Sequence, residues 1–309
     1  MEISLTSPNI AIFSFDLTDG EILLIQAAGI TDVGLKREGN EDAYLIDDQL
    51  WLYIVADGMG GHLAGEVASK VAVELISNTF KKWSQTKAPY EEIFGQPDAS
   101  LSLEGNYLLS GIRLANRVIH EMAGANEKYQ GMGTTVAALA ISSSLVVAAN
   151  VGDSRIYLAR EGQLERLSKD HTVVSEQVEM GIMTEAEAAN SPLKHVLTKN
   201  LGSAEEVYPD VFELEPANND RYILCTDGLT DLVSDEEILD MIMLVKNPEN
   251  LCRDFVDLVL KRGGHDNTTV ISVFLSGIEE KKDGVLKKTG TMAADIWFGL
   301  RKGLRKIKP

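Results

Sequence analysis

The order of the regular segments constrains the fold of this chain most. Apolar, β-branched runs at residues 10–15, 22–30, 43–47 and 50–56 read as strands, and Asp19-Gly20 is a hairpin signal between the first two. From residue 64 the spacing becomes helical, with Ala64, Val67, Ala68, Val71, Ala72, Leu75 and Ile76 on one face. A stretch at 84–106 holds Pro89, Gly95, Pro97 and Gly105 and reads as a loop. A second helical face follows through Leu108, Ile112, Ala115, Ile119 and Met122. Strands return at 134–141, 145–151, 155–160, 207–214 and 221–225. Helices at 235–245 and 248–261 precede a last strand at 268–275. Regular βαβα alternation is absent. That disfavours a doubly wound parallel sheet and favours antiparallel sheets with helices packed outside them.

The 309 residues, 44% of them hydrophobic, are enough for a sizeable core. The net charge of −18 disfavours nucleic acid as a partner of the body of the protein. The two cysteines, Cys225 and Cys252, fall in apolar patterns and are expected to be reduced core residues. No basic n-region precedes the short apolar run at 22–25, and no membrane span is evident, so a cytoplasmic location is expected. Residues 168–205 are mostly polar, weakly helical and without an apolar stripe; they are expected to form a surface flap.

Chemistry concentrates at four aspartates. Asp57 ends an apolar strand pattern and opens Asp57-Gly58-Met59-Gly60-Gly61-His62. A carboxylate beside a glycine carbonyl offers two hard oxygen ligands to a divalent cation, although a turn whose Asp caps the next helix is an equal reading of this loop alone. Asp153, Asp227 and Asp266 repeat the pattern at or beside other expected strand ends. Carboxylates gathered at one sheet edge repel one another, and a cation commonly occupies such a cluster. Oxygen-only ligands favour Mg²⁺ or Mn²⁺ over zinc. Asp227, Asp231 and Asp235 recur every four residues, which does not fit a calcium loop.

At these residues the chain resembles the metal-dependent Ser/Thr protein phosphatases of type 2C, in their bacterial form. The matching pieces are Thr31-Asp32-Val33-Gly34 leading to Arg37 and Asn40-Glu41-Asp42, then the loop from Asp57 to His62. Met132-Gly133-Thr134-Thr135, Val151-Gly152-Asp153-Ser154-Arg155, Thr226-Asp227-Gly228-Leu229 and Asp266-Asn267-Thr268-Thr269 complete the set. Each piece is weak alone; six in order are specific. The resemblance covers residues 26–276 and implies an αββα sandwich, two central antiparallel sheets flanked by helix pairs. It implies that Asp57 bridges two Mn²⁺ or Mg²⁺ ions and that the Gly58 carbonyl completes one site. Glu41 and Asp42 would bind directly or through water, Asp227 and Asp266 would hold the other ion, and Asp153 with Asp227 a third. Arg37 would grip the substrate phosphate and His62 act as general acid. These residue types suit the reaction. A binuclear centre makes water a nucleophile at neutral pH for in-line attack, and a guanidinium fork matches two phosphate oxygens. A histidine can protonate the departing serine or threonine oxygen near pH 7.

The expected substrates are phosphorylated proteins, products of a Ser/Thr kinase. A phosphatase dedicated to one regulatory protein, of the anti-sigma-antagonist type, is the alternative. A non-catalytic phosphoprotein binder would lack a ligand, yet Asp57, Asp227 and Asp266 are all present. A monomer is expected. Taken alone, Arg37 reads as a solvated loop residue, and its spacing to Glu41 is what raises it; a helix-start residue without catalysis is the lesser reading of His62. His120, His171 and His195 read as surface or flap residues, Asp32 as a turn residue, and Met59 and Met132 as packing residues.

The sequence therefore divides into an N-terminal extension at 1–25 with an added hairpin, a catalytic domain at 26–277 and a tail at 278–309. Residues 281–309 hold nine Lys or Arg against two Asp. Trp297, Leu300, Leu304 and Ile307 share a helical face there, with Arg301, Lys302, Arg305 and Lys306 toward the other. A basic amphipathic helix of this kind suits an anionic membrane surface or a partner's groove, or it folds back on the acidic body.

Overall fold

The computed structural model describes residues 13–16, 22–61 and 63–277. His62 and the tail at 278–309 lie outside the described residues, as do 1–12 and 17–21. The described residues fall within one compact unit, Met1–Ile278.

The chain runs β1 (Phe13–Asp16), β2 (Ile22–Asp32), β3 (Asp42–Asp47) and β4 (Leu52–Met59), then the long helices α1 (Leu63–Thr86) and α2 (Leu103–Ala125). Next come β5 (Gly133–Thr134), β6 (Val136–Ile141), β7 (Val146–Val151), β8 (Arg155–Arg160) and β9 (Gln163–Arg166). The flap carries α3 (Val173–Glu179) and α4 (Glu185–Ala189). β10 (Asp210–Leu214), β11 (Arg221–Cys225), α5 (Asp227–Thr230), α6 (Asp235–Leu244), α7 (Pro248–Lys261) and β12 (Thr268–Ser276) complete it.

Two antiparallel sheets result. One has the order β1-β2-β12-β11-β8-β9; the other has β10-β7-β6-β4-β3, with β5 pairing β4. Alternate residues of the central strands enter different cores, because side chains of a strand point to opposite faces. In β4, Tyr53 and Val55 face the other sheet, packing with Leu158, Tyr222, Leu224, Ile271 and Val273. Leu52, Ile54 and Ala56 face Ala68, Ala72, Ile76, Leu108 and Ile112 of α1 and α2. Ile223, Cys225 and Val270 face Ile238, Ile242, Leu251 and Phe255 of α6 and α7. Strands buried on both faces have continuous apolar sequences, and each fully buried aliphatic contributes about 1.5–3 kcal/mol. The layers are therefore helix pair, sheet, sheet, helix pair, the expected αββα sandwich.

The N-terminal hairpin signal corresponds to antiparallel pairing of β1 with β2, Phe13 opposite Ile25, at the edge of its sheet. β2 itself runs unbroken across residues 25 and 26, and Leu24 and Ile25 already pair with Ser276 and Leu275.

Several expectations are corrected. β4 does not stop at Asp57; it continues to Met59 because β5 supplies partners, Gly58 opposite Thr134 and Met59 opposite Gly133. Asp227 lies just beyond β11, beside a strand end as expected, and opens the four-residue helix α5. The 84–106 loop is helical at both ends, and Asn106 organises its end by donating to the carbonyls of Asp98 and Ser102. The flap is not a surface segment throughout. Its first residues, Ser168, Asp170, His171 and Thr172, are buried, as is Leu201 near its end.

Candidate metal centre

The carboxylates come from both sheets. In one, the β3–β4 register sets Asp42 directly opposite Asp57. In the other, Asp227 follows β11 and Asp266 precedes β12, neighbouring strands. Asp153 lies in the tight connection from β7 to β8, which carries the chain between the sheets. Asp42, Asp227, Asp153 and Asp266 all act electrostatically on Asp57. The sequence-predicted Asp residues thus share one locality where the two sheets meet.

Hydroxyl and amide side chains fix this geometry. The Thr269 and Thr226 hydroxyls donate to Asp42 Oδ2 at 2.6 and 2.9 Å. Asn267 accepts the Glu41 N–H on Oδ1 at 2.8 Å and donates from Nδ2 to the carbonyls of Val33 and Gly39, each at 3.0 Å. That side chain ties the loop carrying Arg37 to the start of β12. The Asp57 N–H donates to Thr135 Oγ1 at 2.9 Å, and the Gly58 N–H to the Glu41 carbonyl at 3.1 Å. A Cβ on Gly58 would stand 2.6 Å from the Glu41 carbonyl oxygen and collide with that of Gly65. Only glycine lets these three backbones approach so closely. The Glu41 carboxylate lies against Gly65 in the first turn of α1. Arg37 donates from Nη2 to Asp266 Oδ2 at 2.7 Å while its side chain stays about half exposed. That hydrogen bond raises the guanidinium pKa further.

Burial and mutual repulsion set the electrostatics of the site. Burial, then the charges of its four Asp neighbours, holds Asp57 well above the usual carboxylate range. Burial pushes Asp42 up to about 7 against the pull of its two threonine hydrogen bonds. Burial and the charge of Asp227 push Asp153 up to about 7. Burial pushes Asp227 up as well, but hydrogen bonds with His195 and Asp57 outweigh it and leave Asp227 low. Buried oxygens of Asp42 and Asp227, Oδ1 in each, have no hydrogen-bond partner. A buried carboxylate oxygen without a donor is costly, and a cation is what such a cluster of oxygens accommodates. Carboxylates and a glycine carbonyl are hard donors that fit Mg²⁺ or Mn²⁺.

Some functional-site residues escaped the sequence reading. Thr226, Thr269, Asn267 and Thr135 sit in the quoted motifs, but no local pattern states that they brace carboxylates. His195, expected on the flap surface, places Nδ1 3.5 Å from Asp227 Oδ2 and Nε2 3.5 Å from Asp231 Oδ2. Its hydrogen bond with Asp227 raises its pKa. Lys194 Nζ lies 3.2 Å from Asp231 Oδ1. His195, Asp227 and Asp231 are near enough together for one ligand atom of each to reach a common ion. The spacing of Asp227 to Asp231 signals one helical face, but nothing local announces His195. His171, also expected on the surface, is 1% exposed. Asp32 meets its expectation, accepting the Gly34 N–H in a turn at 2.7 Å. His62 lies outside the described residues.

The chain is similar to known proteins over most of its length. The family model described as protein phosphatase 2C matches residues 35–260. A serine/threonine phosphatase, stp, of Listeria welshimeri is 35% identical over 258 residues, covering 82% of this chain and 97% of the relative. The crystal structure of the Mycobacterium tuberculosis serine/threonine phosphatase PstP/Ppp superposes with a TM-score of 0.71 at 32% identity, covering 82% of this chain and 99% of that one. The catalytic domain of PstP in complex with 2 manganese ions gives a TM-score of 0.69 at 31% identity, with 82% and 99% covered. The chain belongs to the protein phosphatase 2C family.

Proposed function

We propose that this chain is a Mn²⁺- or Mg²⁺-dependent protein serine/threonine phosphatase. The observation that carries the reading is the cluster of buried carboxylates from both sheets, two of whose oxygens have no hydrogen-bond partner. The manganese complex of the similar PstP domain supports the choice of ion. When bound, divalent cations supply a nucleophile from water at neutral pH and offset phosphoryl charge.

In this reading Asp57, the Gly58 carbonyl, Asp227 and Asp266 hold two ions, Glu41 and Asp42 contribute directly or through water, and Asp153 with Asp227 holds a third. Arg37 orients the phosphate with its guanidinium fork, and His62 gives a proton to the departing serine or threonine oxygen. Purified protein is expected to release phosphate from phosphothreonine and phosphoserine peptides when Mn²⁺ is present. Absence of release from either peptide would contradict the function.

The two side-chain roles separate kinetically. Arg37→Ala is expected to raise KM about tenfold with a smaller fall in kcat, since it removes a charge-assisted contact made already in the bound substrate. His62→Ala is expected to slow alkyl phosphates much more than p-nitrophenyl phosphate, whose leaving group departs without a proton. Equal losses on both substrates would remove the general-acid role.

The physiological substrates are products of a Ser/Thr kinase, and the protein acts as a monomer in the cytoplasm. A single dedicated regulatory substrate has no observation in its favour. Among the described residues no helix is long and apolar enough to cross a membrane. The basic tail brings the enzyme to anionic membrane surfaces, each basic side chain near the bilayer contributing about 1 kcal/mol. Truncation after Gly277 should preserve turnover of phosphopeptides and reduce sedimentation with phosphatidylserine vesicles. Unchanged vesicle binding, or loss of peptide turnover, would overturn that role.

A further inference from the structure

His171 sits where the flap begins, and its ring meets two neighbours. The Gly152 N–H reaches Nδ1 at 3.0 Å, and Nε2 stands 3.2 Å from Asp210 Oδ2. A backbone amide can only donate, so Nδ1 carries the lone pair. The ring proton then resides on Nε2 and is donated to Asp210. The backbone makes a matching contact, the His171 N–H donating to the Gly152 carbonyl at 3.0 Å. One residue therefore holds both polar groups of Gly152.

Gly152 cannot shift easily. Its φ is +99°, and a Cβ there would stand 2.6 Å from Thr135 Cγ2. On the far side of Asp153, the Ser154 hydroxyl hydrogen-bonds Thr135 Oγ1 at 2.7 Å, the same oxygen that accepts the Asp57 N–H. Asp153 is thus carried between two anchored residues, and the anchor on its N-terminal side is an imidazole outside the metal centre.

We propose that His171 is a positioning residue for Asp153: Asp210 fixes the tautomer, Nδ1 fixes the Gly152 amide, and that turn sets where the Asp153 carboxylate stands. The proposal rests on the reading of Asp153 as a cation ligand. Groups that orient a ligand from outside typically change metal affinity by about 10–100-fold when replaced.

Two replacements separate the ring's two contacts. Asn places an amide oxygen near the Nδ1 position, where it can accept from Gly152. Gln extends toward the Nε2 position and can still meet Asp210, but leaves Gly152 without its acceptor. The full-length chain, stripped of metal, is titrated with Mn²⁺ by calorimetry, and the Gly152 amide is followed by NMR in the metal-free state. Asp153→Asn and His171→Gln are each expected to weaken the weakest Mn²⁺ step about tenfold or more, with the tighter steps kept. His171→Asn is expected to restore most of that affinity and to keep the Gly152 amide shift, which His171→Gln moves. If Asp153→Asn weakens the step and His171→Gln does not, the reading of Asp153 stands and the positioning role is overturned. If Asp153→Asn leaves the titration unchanged, the reading of Asp153 fails and the proposal falls with it. Should His171→Gln not fold, Asp210→Ala takes its place, because Asp210 is 47% exposed on an edge strand. It is expected to weaken the same step severalfold, and an unchanged step would overturn the proposal.

Discussion

EDTA treatment is expected to lower turnover of a phosphothreonine peptide by about a thousandfold or more, with recovery on adding Mn²⁺ or Mg²⁺. The size follows from what the chain supplies without metal. Its centre offers carboxylates, which repel an incoming phosphate, and Arg37, half exposed and already bonded to Asp266. Neither makes water a nucleophile at neutral pH. Several kcal/mol of transition-state stabilisation are lost with the cations, at about 1.4 kcal/mol for each tenfold in rate. Phosphate release in a stripped, metal-buffered sample checks the result. Turnover that persists there would place the chemistry elsewhere in the molecule.

Asp57→Asn is expected to do two opposite things. Activity falls to near background, because the carboxylate with the most acidic neighbours is lost. The metal-free protein, however, becomes more stable, because folding no longer buries a carboxyl whose ionisation is opposed by burial and by four acidic neighbours. Relief of 1 kcal/mol corresponds to about 2–4 °C in Tm for a domain of this size. The same crowding sets a pH dependence. Asp42 and Asp153 titrate at about 7 in the fold against 3.8 for an ordinary Asp, so between those values the folded state binds more protons than the unfolded. Stability of the metal-free protein then falls as pH rises from 4 through about 7. Thermal melts in EDTA, wild type against Asp57→Asn across that window, check both. A lower Tm for the variant would show that the Asp57 carboxylate stabilises the metal-free fold.

The parts legible in the sequence were those whose physical cause is local. β4, β6, β7, β11 and β12 are buried on both faces, and that requirement writes continuous apolar runs such as Val146-Val147-Ala148-Ala149. α1 buries one stripe and shows it at helical spacing, while α2 is buried all round over residues 105–112 and shows a helical stripe only in its later turns. Edge strand β9 has a single aliphatic, Leu164, in Gln163–Arg166, so no pattern marks it. The extension of β4 through Asp57 depends on β5, a two-residue strand more than seventy residues later. Among site residues, the Asp-Gly pairs Asp57-Gly58 and Asp227-Gly228 were visible because each follows a continuous apolar strand pattern, where a lone turn signal would not repeat. His171 and His195 were not, since a histidine becomes a clamp only through what the tertiary fold brings to its two nitrogens. Asp231 was seen only as a spacing; its contacts with Lys194 and His195 come from the flap.

A single cation centre built from carboxylates of both sheets is open to direct observation. Anomalous diffraction at the manganese edge, from crystals of the full chain grown with Mn²⁺, tests it most directly. Two strong peaks are expected within ligand distance of Asp57, one also touching the Gly58 carbonyl and the other Asp227 and Asp266. Manganese found only away from Asp57, for example between His195 and Asp231, would show that the carboxylates around Asp57 do not form the cation centre.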